Sequence, residues 1–187
     1  AVASALEARG ETVIRNGSRG MLWMEPLVER AEERHGPRVG WSNVSAGQID
    51  AGLPDEQSDN FMGAVEEVDY LAKQNRWIYE RVGITDPVDP EDYLAHGGLT
   101  GLKNALAMSG GDVVQAVTDS GLRGRGGAGF PAGIKWRTVA DQPPAPHAGE
   151  SQNAPAHKYI CVNADEGDSG TFADRMLIEG DPFCLLE

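Results

Sequence analysis

The sequence predicts an α/β fold, and three observations predict it. Short apolar runs bounded by turn residues read as strands at residues 11–15, 38–41 and 158–163. Helix starts with recognisable caps stand between them, at Ser45 and at Asp89-Pro90-Glu91-Asp92. A glycine-rich run at residues 121–136 then breaks the alternation, and there backbone chemistry rather than burial sets the conformation.

The elements follow in order. Glu11-Thr12-Val13-Ile14-Arg15 is expected to be a strand, and Asn16-Gly17-Ser18-Arg19-Gly20 a turn. Leu27-Val28 is expected to pair with Arg38-Val39-Gly40-Trp41 across a turn holding His35-Gly36-Pro37. Ser45-Ala46-Gly47-Gln48 has capping-box spacing and opens a helix to about Leu53. Residues 54–60 read as a polar linker. Tyr70, Leu71, Trp77, Ile78 and Val82 recur at helical spacing up to a stop at Gly83. Asp89 supplies a cap, Pro90 fits the first helical position, and the acids that follow suit the positive end of the helix dipole.

Further helices are expected near 99–108 and 112–119, separated by Gly110-Gly111. Residues 134–139 read equally as strand or short helix. Residues 141–157 hold four of the 11 prolines without periodicity and read as an exposed flexible loop. Lys158-Tyr159-Ile160-Cys161-Val162-Asn163 is expected to be a strand, residues 172–179 a helix, and Pro182 the start of another element. The lack of an initiator Met, and an end within Phe183-Cys184-Leu185-Leu186-Glu187, read as a piece cut from a longer protein.

Composition narrows the function classes. At 187 residues the chain accommodates one ordinary domain or one domain with a small companion. No apolar run approaches the ~18 residues of a membrane span. The first residues lack the cationic start and apolar centre of a signal peptide, so direct membrane insertion is not expected and the cytoplasm is the expected location. A net charge of −13 argues against nucleic-acid binding. Cys161 and Cys184, 23 residues apart, cannot supply the four thiolates of an ordinary iron–sulfur cluster, so no metal site is expected in this segment.

The run from Gly121 to Trp136 holds six glycines, three cations and two aromatic rings in sixteen residues. Exposed N–H groups in such a run form an anion-binding nest. Arg123, Arg125 and Lys135 add positive charge, while Phe130 and Trp136 offer flat faces. Together they read as a cradle for a phosphorylated aromatic cofactor. Gly124-x-Gly126-x-x-Gly129 matches the dinucleotide fingerprint literally, but that motif needs a strand before it and a helix running through its last glycines. Here Val113-Val114-Gln115-Ala116-Val117 reads as a helix running into a glycine cap, and Pro131 removes an N–H where the Rossmann helix would be under way. No Gly-Lys-Ser/Thr follows, which excludes a Walker loop. A plain flexible linker would be richer in Ser and would not interleave Phe130, Ile134 and Trp136.

A second constellation, Asn163-Ala164-Asp165-Glu166-Gly167-Asp168-Ser169-Gly170-Thr171-Phe172, follows the last expected strand. Its carboxylates and amide suit ribityl or ribose hydroxyls. The spacing does not fit an EF-hand, which needs a Glu at loop position 12. The plainer reading is capping by Ser169 or Thr171, with acids at the N-terminus of the helix that follows.

The two stretches together resemble the family of NADH-binding flavoprotein subunits. It includes the flavin subunit of respiratory complex I, hydrogenase diaphorases and beta subunits of NAD-dependent formate dehydrogenases. The family pattern, roughly GLRGRGGAGFPTGxKW and then NADExEPGTFKDR, is matched at residues 121–136 and 163–175, and the resemblance covers about 85–187. It implies an FMN-binding, Rossmann-like domain that is not a true Rossmann fold. It implies FMN and NAD as cofactors and a [4Fe–4S] cluster in a further C-terminal part. It also implies partner subunits carrying iron–sulfur clusters in a multisubunit redox complex. Carried over, Gly124, Arg125, Gly126, Gly127, Gly129 and Lys135 line FMN with Asn163, Asp165 and Glu166. Phe130 lies near the adenine side of NADH, and Asp168 beside the nicotinamide half. The flavin carries the chemistry, so no catalytic side chain is implied.

This chain departs from the pattern at three places. Asp168 replaces the usual Glu, shortening its reach by about 1.5 Å, Ser169 replaces Pro, and Ala173 replaces Lys. The resemblance makes residues 1–55 the end of a thioredoxin-like domain without cluster cysteines, residues 56–84 a linker and helix, and residues 85–187 the start of the FMN/NADH domain. Cysteine loss in a fused thioredoxin-like domain resembles formate dehydrogenase beta subunits best, with the hydrogenase diaphorase as competitor. A noncatalytic assembly subunit with a vestigial cradle is the alternative of another class.

Overall fold

The computed structural model describes every residue except 35, 147, 148, 150 and 152–155. Among the described residues the helices are α1 (Val2–Ala8), α2 (Ala46–Ala51), α3 (Asp69–Ala72), α4 (Pro90–Ala95), α5 (Thr100–Leu106), α6 (Gly110–Asp119), α7 (Ala132–Asp141), α8 (Ala173–Gly180) and α9 (Pro182–Leu186). The strands are β1 (Val28–Ala31), β2 (Arg38–Trp41) and β3 (Phe61–Ala64). The chain divides into two units, the first made of Ala1–Gly98 with Ala164–Glu187, the second of Leu99–Asn163.

The first unit is built on an antiparallel sheet in the order β1-β2-β3. Val28 stands opposite Trp41, Val39 opposite Ala64, and the register shifts between Gly40 and Trp41. Trp41, Val44 and Ile49 are buried together, with Val2, Leu6, Val39 and Phe61 against them. Burial of such side chains supplies roughly 1.5–3 kcal/mol each. Met21, Val65 and Leu71 form a second cluster. The α2 helix starts where the capping box predicts: the Ser45 hydroxyl accepts from the Gln48 N–H and the Gln48 side chain accepts from the Ser45 N–H.

A buried cation ties β1 to the segments that follow β3. Arg19, 4% exposed, meets Glu29 at 2.8 Å and Glu66 at 3.2 Å, and donates to the Gly83 carbonyl. Burial raises the Glu29 carboxyl above its ordinary range, against the pull of Arg19 and Arg38. Removing either partner would strand a buried charge, which costs more than the intact pair contributes.

In the second unit α6 and α7 pack on each other. A Cβ on Gly133 would come within 2.6 Å of the Thr118 Cα, so no larger residue fits between these backbones without displacement. Arg137 reaches back to Gln115 at 3.2 Å.

Several expected elements are corrected. The strands pair antiparallel, so the mixed helix-and-strand character holds without a parallel sheet among the described residues. Residues 11–15 form no strand: Ile14 is exposed and Arg15 bonds Glu7 instead of a neighbouring chain. The helix expected through Val82 is limited to α3, because Trp77, 88% exposed, does not share a buried face with Leu71. Gly110 and Gly111 do not separate helices but open α6, since Ser109 caps the Asp112 N–H. The linker at 54–60 leads into β3, which the sequence reading missed. Residues 158–163 are not a strand. Ile160 is 96% exposed, and Lys158 donates to the carbonyls of Val139 and Ala140 at the end of α7. The alternative at 134–139 resolves to helix. Part of the expected loop at 141–157 and the His35 turn lie outside the described residues.

Ser45→Ala is expected to cost about 1 kcal/mol by loss of the cap, read from a urea melt followed by Trp fluorescence. Gly133→Ala is expected to cost about 1–3 kcal/mol by overpacking, with the loss confined to amides of α6 and α7 in hydrogen exchange.

Candidate functional site

The glycine run folds as a hairpin placed between two packed helices. The α6 helix ends at Asp119, and Gly121 turns the chain with φ 68°. Two hydrogen bonds form the stem: Ala132 N–H to the Leu122 carbonyl, and Gly124 N–H to the Phe130 carbonyl, both 2.8 Å. Arg123 and Pro131 face each other in an antiparallel bridge. Residues 125–129 form the exposed tip, where Gly127 takes φ 103°, a conformation that disfavours any side chain.

The cations divide into two roles. Arg123 donates from Nε to the Gly129 carbonyl at 2.5 Å and so braces the tip. The Lys135 ammonium lies 5.8 Å from the Phe130 ring centroid, and a Cβ on Gly124 would come 3.9 Å from it. Gly124, Phe130 and Lys135 therefore stand together at the base of the tip, while Arg125, Gly126 and Gly127 lie exposed along it. A Cβ on Gly126 or Gly127 would meet nothing within 4 Å, so the tip is open to an approaching group. The α7 helix starts directly after the stem with Pro131 at its N-cap and no side-chain cap. Its N-terminal end carries about half a positive charge. Backbone N–H groups, a helix start, an ammonium and an exposed ring form a donor set that suits a phosphate carrying an aromatic ring.

The second constellation is divided by the unit boundary. Asn163 closes the second unit, and residues 164–172 belong to the first. Within the first unit the loop folds back on α8. One Glu166 oxygen accepts from the Ala173 N–H and, at 3.2 Å, from the Asp174 N–H, and the other accepts from the Arg175 N–H at 3.3 Å. A carboxylate at a helix N-terminus satisfies N–H groups that the helix leaves without internal partners. Neither Ser169 nor Thr171 caps α8; Glu166 does so from seven residues upstream. The Thr171 N–H donates to the Asp168 carbonyl at 3.3 Å, and Phe172 stands in the left-handed region at φ 52°. The loop and the first turns of α8 line an open, solvent-facing depression of about 470 Å³, with Glu166, Asp168, Ser169, Phe172, Arg175 and Ile178 among its walls. Asp165 is exposed at the start of the loop.

Two residues outside the motifs hold α8 in place. The Tyr79 hydroxyl donates to the Ala173 carbonyl at 3.2 Å, and Arg81 meets the buried Asp181 at 2.8 Å. Burial raises the Tyr79 phenol above its ordinary range, and the carboxylates of Asp174 and Glu166 raise it further. Neither residue stands out in the sequence, where the apolar spacing from Tyr70 to Val82 predicts one amphipathic helix. No local pattern marks a side chain whose partner lies about a hundred residues away.

Residues 117–187 match the family described as the Nuo51 FMN-binding domain. Over 115 residues the chain is 44% identical to the NADP-reducing hydrogenase subunit HndC of Solidesulfovibrio fructosivorans, covering 62% of this chain and 21% of that protein. It is 45% identical over 96 residues to an NADH-quinone oxidoreductase subunit of Rhizobium meliloti, covering 51% and 20%. It is 39% identical over 102 residues to an NADH-quinone oxidoreductase subunit of Escherichia coli, covering 54% and 21%. The chain thus spans about a fifth of the length of these relatives. Residues 117–187, which hold the open glycine tip and the start of α7, are therefore similar to an FMN-binding domain.

Proposed function

We propose that this chain is part of a flavoprotein subunit that binds FMN and NAD(H), passing a hydride between them and electrons to or from iron–sulfur clusters in partner subunits. The observation that carries this reading is the open tip at Gly126-Gly127, with Lys135 at its base beside Gly124 and Phe130, and α7 starting after it without a side-chain cap. When bound, FMN supplies the chemistry that links a two-electron hydride to single-electron carriers.

The chain's own residues bind and orient. The backbone of Gly124, Gly126, Gly127 and Gly129 lets the cofactor approach without Cβ atoms in the way. Lys135 and Arg125 neutralise the phosphate and any negative charge on the ring. Phe130 offers its face to the dinucleotide. The family resemblance assigns Asn163 and Asp165 to hydroxyls of the ribityl chain and Asp168 to the nicotinamide half. Glu166, with both oxygens on α8 amides, shapes the loop for these contacts. A location in the cytoplasm and a [4Fe–4S] cluster in a further part of the protein belong to the same reading. Among the described residues no helix is long and apolar enough to cross a membrane.

For the upstream donor we infer formate, from the resemblance of residues 1–55 to a thioredoxin-like domain without cluster cysteines. The 44% identity to a hydrogenase subunit supports hydrogen as the second reading. Absorption spectra of the purified full-length complex test both. Flavin absorbance is expected to bleach with NADH and with formate. Bleaching by NADH and hydrogen but not formate selects the second reading, and no response to NADH or NADPH overturns the proposal. Lys135→Ala is expected to weaken FMN affinity about ten- to a hundredfold, the scale of a hydrogen bond to a charged group. Unchanged flavin content in that variant removes Lys135 from the site.

A further inference from the structure

The peptide group at Ala173 is held from both ends. Its N–H donates to Glu166, and its carbonyl accepts from the Tyr79 hydroxyl at 3.2 Å. Tyr79 follows the Arg19 network in the chain, where Arg76 donates to the Arg19 carbonyl. Glu166 is anchored seven residues before the helix it caps. The position of α8 relative to the loop decides the shape of the depression, since Glu166, Asp168 and Phe172 of the loop and Arg175 and Ile178 of α8 all line it.

We propose that Tyr79 is a positioning residue for the acidic loop: with Glu166 it clamps the Ala173 peptide, and the clamp sets the depression that Asp168 lines. The functional part of this inference rests on the reading given under Proposed function. Tyr79 makes its hydrogen bond to the Ala173 carbonyl and none to Asp165 or Asp168, so it acts through Ala173, Glu166 and the first turn of α8. The raised phenol keeps its proton through neutral and mildly alkaline pH, so the donor persists across the working range. Further along the same segment Arg81 fixes Asp181 and Val82 packs against Gly180. The far end of α8 is therefore already held, and the freedom that Tyr79 removes is confined to its start.

Tyr79→Phe deletes the hydroxyl and keeps the ring, and the test uses the full-length protein in its complex. Hydrogen exchange on the flavin-free form is expected to run about fivefold faster at the amides of residues 173–175, the scale of one net hydrogen bond. Exchange in α2, in the same unit, is expected to stay unchanged. On the flavin-loaded form KM for NADH is expected to rise severalfold at unchanged kcat, the pattern of lost binding rather than lost chemistry. Unchanged exchange at 173–175 overturns the clamp, as does equal acceleration in α2. Faster local exchange with an unchanged KM overturns the positioning role. A parent protein that is not reduced by NADH defeats the flavoprotein reading instead, and the exchange arm still decides the clamp.

Discussion

The candidate site depends on the close contact of two helices. With Gly133 against Thr118, α6 and α7 approach within the distance that only a missing Cβ permits. The chain between them, residues 120–131, has no room to wander. It must reverse, and the two stem hydrogen bonds fix how. The tip is exposed yet anchored at both ends, and the uncapped start of α7 lies beside it. A free glycine-rich loop would lose about 1–2 kcal/mol of backbone entropy per residue on binding a ligand. Anchoring the stem confines that cost to the few residues of the tip.

The acidic loop solves a different problem with the opposite charge. Its carboxylates would repel one another if all pointed outward. Glu166 is turned inward to the N-terminus of α8, where its charge meets three N–H groups. That leaves Asp165 and Asp168 as the outward acids of the loop. Tyr79 and Arg81 place α8 from outside the motif, through side chains that no short pattern captures.

The sequence was most legible where the physics is local. The Ser45 capping box and the Asp89-Pro90 start depend on neighbours within a few residues, and the structure contains both; of the expected Leu27-Val28 pairing only Val28 joins the ladder, opposite Trp41, and the strand runs on to Ala31. The helix before the glycine run was legible for the same reason, and it separated the run from a Rossmann fingerprint. Residues 11–15 and 158–163 have strand composition, but a strand needs a ladder to join, and neither segment joins one. The apolar spacing from Tyr70 to Val82 mixed buried with exposed positions, which a single sequence cannot distinguish. The cap on α8 was expected from Ser169 or Thr171, whereas the longer Glu166 side chain reaches the same N–H groups from upstream.

In the proposed function the hairpin between α6 and α7 recognises the phosphate of a flavin nucleotide. Titrating the flavin-stripped full-length protein with FMN and with riboflavin, which differ only in that phosphate, tests it directly. FMN is expected to bind about a hundredfold more tightly, as expected for charge-assisted contacts to the phosphate. Equal affinity for the two would show that the hairpin does not read the phosphate.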